Sequence, residues 1–190
     1  DFLNGEKKLN FNLNKFDFHL LYIGSNYPHK NLNILNSSID YASKILKKKI
    51  GIILTLNEID FNKLNQGLKE KSINLGYVEQ RALKNLYFKS DAVIFPSLAE
   101  SFSIGPIEAM SCMKPLIASN RDFIREFCHT VPYYFDPQNS KDIGRMIVKC
   151  FKDLKKNKKK LIEGKKISKK FSNDELRTNQ YLNIINDLIL

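Results

Sequence analysis

The chain has 190 residues, 43% of them hydrophobic, enough for one substantial core and short for two. Lysine and arginine number 31 against 20 aspartate and glutamate, a net charge of +11 that favours acidic partners such as nucleotides, nucleic acid or anionic membrane surfaces without choosing among them. No apolar run approaches the roughly 18 residues of a membrane span, and Cys112, Cys128 and Cys150 have the spacing of neither a disulfide framework nor a metal site and read as reduced, buried small residues.

The first 16 residues are rich in Asn and Lys with little periodicity, which predicts an incoming linker ahead of a single domain over 17–190. The N-terminus also lacks a signal peptide's apolar core, so the expected location is cytoplasmic. Residues 18–23 (FHLLYI) predict a buried strand stopped by Gly24, and a helical pattern follows from Leu32 to about Leu46. Strand-like runs recur at 50–55, 73–77, 92–96, 116–119 and 133–135, with helical segments between most of them. Short apolar strands without strict alternation, separated by amphipathic segments, indicate a doubly wound, Rossmann-like parallel sheet of about six strands covered on both faces. Beyond Phe135, the turn Asp136-Pro137-Gln138-Asn139-Ser140 predicts a helix capped by Ser140 and running to about Asp153. Ser172-Asn-Asp-Glu175 fits a capping box for a last helix. The lysine-rich stretch Lys152–Lys170 carries Leu154, Leu161, Ile162 and Ile167 at roughly helical spacing. It reads first as a solvated helical face and next as a membrane-facing patch.

In such sheets ligands bind outside the carboxyl ends of the strands. Those ends are here Gly24-Ser25-Asn26-Tyr27, Tyr77-Val78-Glu79-Gln80 and Pro96-Ser-Leu-Ala-Glu100. Between Glu100 and Glu108 the run through Gly105 and Pro106 predicts a helix start whose free N–H groups favour an anion. Glu108 is expected in the first turn of that helix, where its carboxylate can accept from a ribose diol, with Glu100 nearer a sugar. Lys30, just before a helix at the exit of the first strand, can neutralise a diphosphate, and Asn26, Tyr27 and His29 lie within reach of a sugar or second phosphate. Glu58-Ile-Asp60 comes nearest to an Asp-x-Asp metal pair and reads as ordinary acidic residues opening a helix. No metal or other cofactor is expected.

Together these segments resemble the donor-binding half of a glycosyltransferase of the GT-B fold, in the retaining family 4 group. The stretches Gly24 with Pro28-His-Lys30-Asn31, Leu75-Gly-Tyr-Val78 with Leu83 and Leu86-Tyr87, Ser90-Asp-Ala92, Phe95-Pro-Ser97, Glu100-Ser-Phe-Ser-Ile-Gly-Pro-Ile-Glu-Ala-Met110, Lys114 to Ser119, Arg125-Glu126 and Tyr134-Phe-Asp-Pro137 come in that family's order. The resemblance implies a nucleotide-diphosphate sugar as substrate and transfer with retention, without a bound metal, in bacterial surface glycan synthesis. It assigns Glu108 to the ribose, Glu100 to the donor sugar and Lys30 to the diphosphate. The amides of Phe102, Ser103 and Ile104 would complete the anion cradle, with Gly24, Ser25 and Asn26 beside it, and Tyr77, Val78 and Glu79 would meet the base. Ser25 stands where the group commonly has arginine, Ser103 where it has glycine, and Met113-Lys114 where glycine precedes Pro115. The group's acceptor-binding domain has no counterpart in the chain, so a partner domain or subunit is expected and the chain alone should bind donor with little transfer. The alternative is a non-catalytic basic module for nucleic acid or an anionic membrane surface. Nucleic acid is the weaker partner, since neither a helix-turn-helix, a zinc finger nor an aromatic platform is present.

Overall fold

A computed structural model describes residues 12–171 and 181–185. Six strands, β1 (Phe18–Tyr22), β2 (Ile50–Leu54), β3 (Ser72–Asn74), β4 (Ala92–Phe95), β5 (Leu116–Ser119) and β6 (Tyr133–Phe135), form one parallel sheet in the order β3-β2-β1-β4-β5-β6. Its register runs from Phe18 opposite Ile50 to Tyr22 opposite Leu54 on one side of β1, and pairs Leu20 with Ala92 and Leu21 with Val93 on the other. The chain order reverses between β1 and β4, so the loops leaving these two strands diverge and open a crevice.

The connections are α1 (Leu35–Leu46), α2 (Glu58–Asn62), α3 (Gln66–Glu70), α4 (Gln80–Lys89), α5 (Ile104–Ser111), α6 (Asp122–Cys128), α7 (Ser140–Asp153) and α8 (Lys158–Ser168). Because strand side chains alternate, Phe18, Leu20, Ile52, Ile94 and Ile117 face one apolar cluster with Ile39 of α1 and Ile143 and Ile147 of α7. Leu21, Ile53, Val93, Phe95 and Ala118 face a second, with Leu86 of α4, Ala109 and Met110 of α5 and Ile124 of α6. All three cysteines are buried and free.

The doubly wound fold expected from the sequence is present, with differences in detail. β1 to β4 each end one to three residues earlier than the apolar runs suggest, because the chain turns into loops that carry the site. The helix over 140–153 is capped by Asn139, whose Oδ1 accepts from the amides of Lys141 and Asp142, and not by Ser140. α5 opens at Ile104, which moves Glu108 out of the first turn into the second. The lysine-rich stretch is broken after Asp153, so Leu154 lies outside α8, and Ile162 points to solvent. The capping box at 172–175 lies outside the described residues. Residues 12–16 lie along the amino edge of the sheet, where the Leu13 carbonyl meets His19 Nε2 at 2.9 Å and the Glu70 carbonyl accepts from Lys15 Nζ at 2.7 Å.

Candidate functional site

β1 ends in Tyr22, whose hydroxyl donates to the Ser25 carbonyl at 2.7 Å and closes the turn over Gly24. Gly24 has φ +146°, and a Cβ there would meet the Tyr22 hydroxyl at 3.0 Å, so the turn needs glycine for both conformation and space. Burial pushes the Tyr22 hydroxyl up, and the charges of Glu100 and Asp60 add to the shift. This phenol therefore stays protonated between the β4 exit and α2.

A short 3-10 turn over Pro28–Lys30 follows, and Asn31 after it takes a left-handed conformation at φ 59°. Asn31 Nδ2 donates to the carbonyls of Pro96 at 3.3 Å and Pro137 at 2.8 Å, and the Leu98 amide donates to the His29 carbonyl at 2.7 Å. These bonds fasten the exits of β1, β4 and β6 together. They hold Lys30 where its ammonium donates to Glu100 Oε1 at 2.6 Å, with side chains 18% and 9% exposed. An ammonium has three N–H groups and Glu100 takes one, so Lys30 can bridge Glu100 to a second acceptor.

α5 starts after Ser103, which is extended and gives no side-chain cap. Because Ser103 keeps φ −133°, the absence of glycine there brings no strain. At Met113 the backbone keeps φ 54°, so a methionine occupies the left-handed conformation that glycine takes freely. The amides of Phe102, Ser103 and Ile104 meet no acceptor among the described residues, and the helix dipole makes this end attractive to an anion. Phe102 is braced by an edge contact to Phe127 at 5.3 Å, which in turn meets Phe171 at 5.8 Å.

Glu108 lies on the side of α5 facing α4. It is 9% exposed, and Tyr87 donates to its Oε2 at 2.9 Å. Burial raises its carboxyl above the usual range, a shift that the Tyr87 hydroxyl partly offsets. Its Oε1 meets no donor among the described residues.

A cavity of about 270 Å³ opens at the carboxyl ends of β1, β2 and β3. Ile23, Val78 and Leu83 give it an apolar wall; Thr55, Asn57 and Asp60 give it polar groups; Gly24, Ser25 and Tyr77 complete it. Asp60 accepts from Lys63 Nζ at 3.0 Å and from the Asn26 amide at 3.3 Å, which hold its carboxyl below the usual range. As the sequence suggested, it stands in the first turn of α2, and there it is also a buried anion in the pocket wall.

Of the residues expected from sequence, the cavity collects Gly24, Ser25, Tyr77 and Val78, whereas Lys30 pairs with Glu100 and Glu108 with Tyr87, all outside its lining. Asn26 is committed elsewhere, its amide and Nδ2 both bonded to Asp60. Glu79 Oε2 accepts from Arg81 Nε at 2.6 Å, and Tyr77 is 86% exposed at the rim. Tyr27 stacks on His29 at 5.9 Å in solvent. Sequence reasoning missed Tyr22, Thr55 and Asn57, and it quoted Leu83 and Tyr87 only as part of the resemblance, without a role in the site. The position of Thr55 and Asn57 just after β2 was a usable signal; the partnership of Tyr87 with Glu108 left none. Among the described residues no group of three His, Cys, Asp or Glu is placed to hold a metal, and no helix is long and apolar enough to cross a membrane.

The sequence family described as "Glycosyl transferases group 1" matches residues 5–167. The O-antigen chain mannosyltransferase RfbU of Salmonella typhimurium is 29% identical over 147 residues, which cover 74% of this chain and 38% of that protein. The chain thus spans under two-fifths of that relative's length. A glycosyltransferase structure from Rickettsia africae superposes with a TM-score of 0.77 at 19% identity, covering 90% of this chain and 48% of that one. Anabaena HepE in complex with UDP and glucose superposes with a TM-score of 0.74 at 19% identity, with the same two coverages of 90% and 48%.

Proposed function

Because the chain belongs to the glycosyl transferases group 1 family, we propose that it is the part of a sugar transferase that holds the activated donor, a nucleoside-diphosphate sugar. The base enters the cavity against Ile23, Val78 and Leu83. The ribose diol donates to Glu108 Oε1. The diphosphate accepts from the amides of Phe102, Ser103 and Ile104 and from the N–H groups of Lys30 that Glu100 leaves free. Glu100 accepts from hydroxyls of the sugar. As the glycosidic bond breaks, negative charge grows on the diphosphate, and the start of α5 with Lys30 stabilises it where it develops. Transfer then proceeds with retention and without a bound metal.

HepE was solved with UDP and glucose, and RfbU is named a mannosyltransferase of the O-antigen chain. These relatives support a hexosyl donor, with mannose the first sugar to try, and a role in bacterial surface glycan synthesis in the cytoplasm. An acceptor has to be held by further protein, since bringing donor and acceptor together supplies much of such catalysis. The chain alone is expected to bind donor and transfer little.

The observation that carries this reading is Glu108, a carboxylate set into an apolar core with one oxygen unclaimed, on a helix whose amino end has no side-chain cap. Hydrogen bonds to a charged acceptor contribute roughly 1.5 to 3 kcal/mol each. Glu108→Ala should therefore weaken nucleoside-diphosphate binding about tenfold or more, read by calorimetry with GDP and UDP in parallel. Equal affinity in the variant and the parent would remove Glu108 from the site.

A further inference from the structure

The lysine-rich end of the chain plays no part in the donor site. From Lys149 to Lys170 there are eleven lysines and two carboxylates, Asp153 and Glu163. α8 packs inward through Gly164 and Ile167; a Cβ on Gly164 would meet Val131 at 3.1 Å and Met110 at 3.2 Å. Lys160 also turns inward, donating to the Val131 carbonyl at 3.4 Å with its ammonium 4.6 Å from the Tyr133 ring centre. The outer face presents Lys158, Lys159, Lys165, Lys166 and Lys169, all exposed, around Ile162, which is 52% exposed. None of these five lysines forms an ion pair among the described residues.

The helix gains nothing from this arrangement. Its first turn holds Lys158, Lys159 and Lys160 and no acid, where the helix dipole favours anions. Lys165 with Lys169 and Lys166 with Lys170 stand four residues apart, a spacing at which like charges repel. Solubility would be served as well by charges spread over the surface.

We propose that the outer face of α8 docks on an anionic lipid bilayer. Lysine ammoniums on flexible stems suit headgroup phosphates, and an aliphatic side chain among them can sink into the interface. Nucleic acid is the poorer match, because the stretch Lys149–Lys170 contains no arginine for bidentate phosphate contacts and no exposed aromatic ring for stacking. The surface is distinct from the donor site, so either reading can fail while the other stands.

The test is flotation of the full chain with vesicles of phosphatidylcholine containing roughly 30 mol% phosphatidylglycerol, set against pure phosphatidylcholine and duplex DNA. The expected result is binding to the anionic vesicles alone, lost as salt rises from about 50 to about 200 mM. The fourfold variant Lys158→Glu, Lys159→Glu, Lys165→Glu, Lys166→Glu should bind at least about tenfold more weakly with unchanged melting temperature and nucleotide affinity. Ile162→Asp should weaken vesicle binding with every lysine in place. The proposal is overturned if anionic vesicles are not bound, if the fourfold variant floats like the parent, or if DNA binds more tightly than the vesicles.

Discussion

The two faces of the sheet are packed by different rules. On the side of α1 and α7 the packing is close: at Gly144 a Cβ would meet Tyr41 at 2.6 Å and the Ser38 carbonyl oxygen at 2.9 Å. On the side of α4 and α5 the core contains a carboxylate and a phenol, Glu108 and Tyr87, among Leu86, Ala109 and Met110. One face is arranged for density. The other keeps a carboxylate where burial disfavours its charge, which the fold alone does not explain and the proposed donor would.

The largest effect that would test this contrast belongs to the dense face. Gly144→Val pushes two methyls against a backbone oxygen that cannot swing aside, so α1 and α7 must separate. Overpacking of this kind costs about 3 kcal/mol at its upper range, a drop of roughly 6 to 12 °C in melting temperature for a domain of this size. Nucleotide affinity should not change. An unaltered melting temperature would mean that this face is as adaptable as the other.

Next in size is Tyr87→Phe, which removes the donor to Glu108 and leaves the buried carboxylate without its partner, a loss of about 1 to 3 kcal/mol. The Tyr87 hydrogen bond lowers the Glu108 pKa, so its removal raises that pKa further. Destabilisation should accordingly be larger at pH 8 than near pH 4.5, the ordinary value for its carboxyl, because the lost hydrogen bond favours the ionised form. Thermal melts at the two pH values check this. A loss independent of pH would assign the hydroxyl to packing and not to the charge.

How far these two faces could be anticipated from sequence follows from the range of the interactions. Strands and crossovers are local patterns, and β5, β6 and α7 fall where apolar runs and turn residues put them. The carboxyl-end loops follow from parallel topology, so Gly24, Ser25, Tyr77, Val78 and the pairing partners Lys30 and Glu100 were accessible. What escaped depends on partners distant along the chain. Tyr87 and Glu108 are 21 residues apart, and Asn26 is bound to Asp60, 34 residues on. Ile162 completed an apolar spacing on paper, yet the break between α7 and α8 turned it outward. Asn139 displaced Ser140 as cap by a single residue, a choice that loop geometry settles and composition does not.

The smallest predicted effect separates fold from function most cleanly. Glu108→Gln keeps the shape and an oxygen that accepts from Tyr87, and removes the charge. With its folded pKa raised above 4.5, Glu108 holds its proton more tightly folded than unfolded. The parent therefore loses stability as pH rises from about 4.5 through the folded value, and stays at that lower level above it. The variant lacks this slope, so it should melt slightly above the parent at pH 8, by under about 1 kcal/mol, with the gap closing as pH falls toward 4.5. Nucleoside-diphosphate affinity should fall in the same protein, because a neutral amide accepts more weakly from a ribose diol than a carboxylate does. Higher stability with weaker binding would mean that the charge serves the ligand at the expense of the fold. A variant less stable than the parent at pH 8 would instead place the carboxylate among the groups that hold α4 to α5, and the contrast between the two faces would disappear.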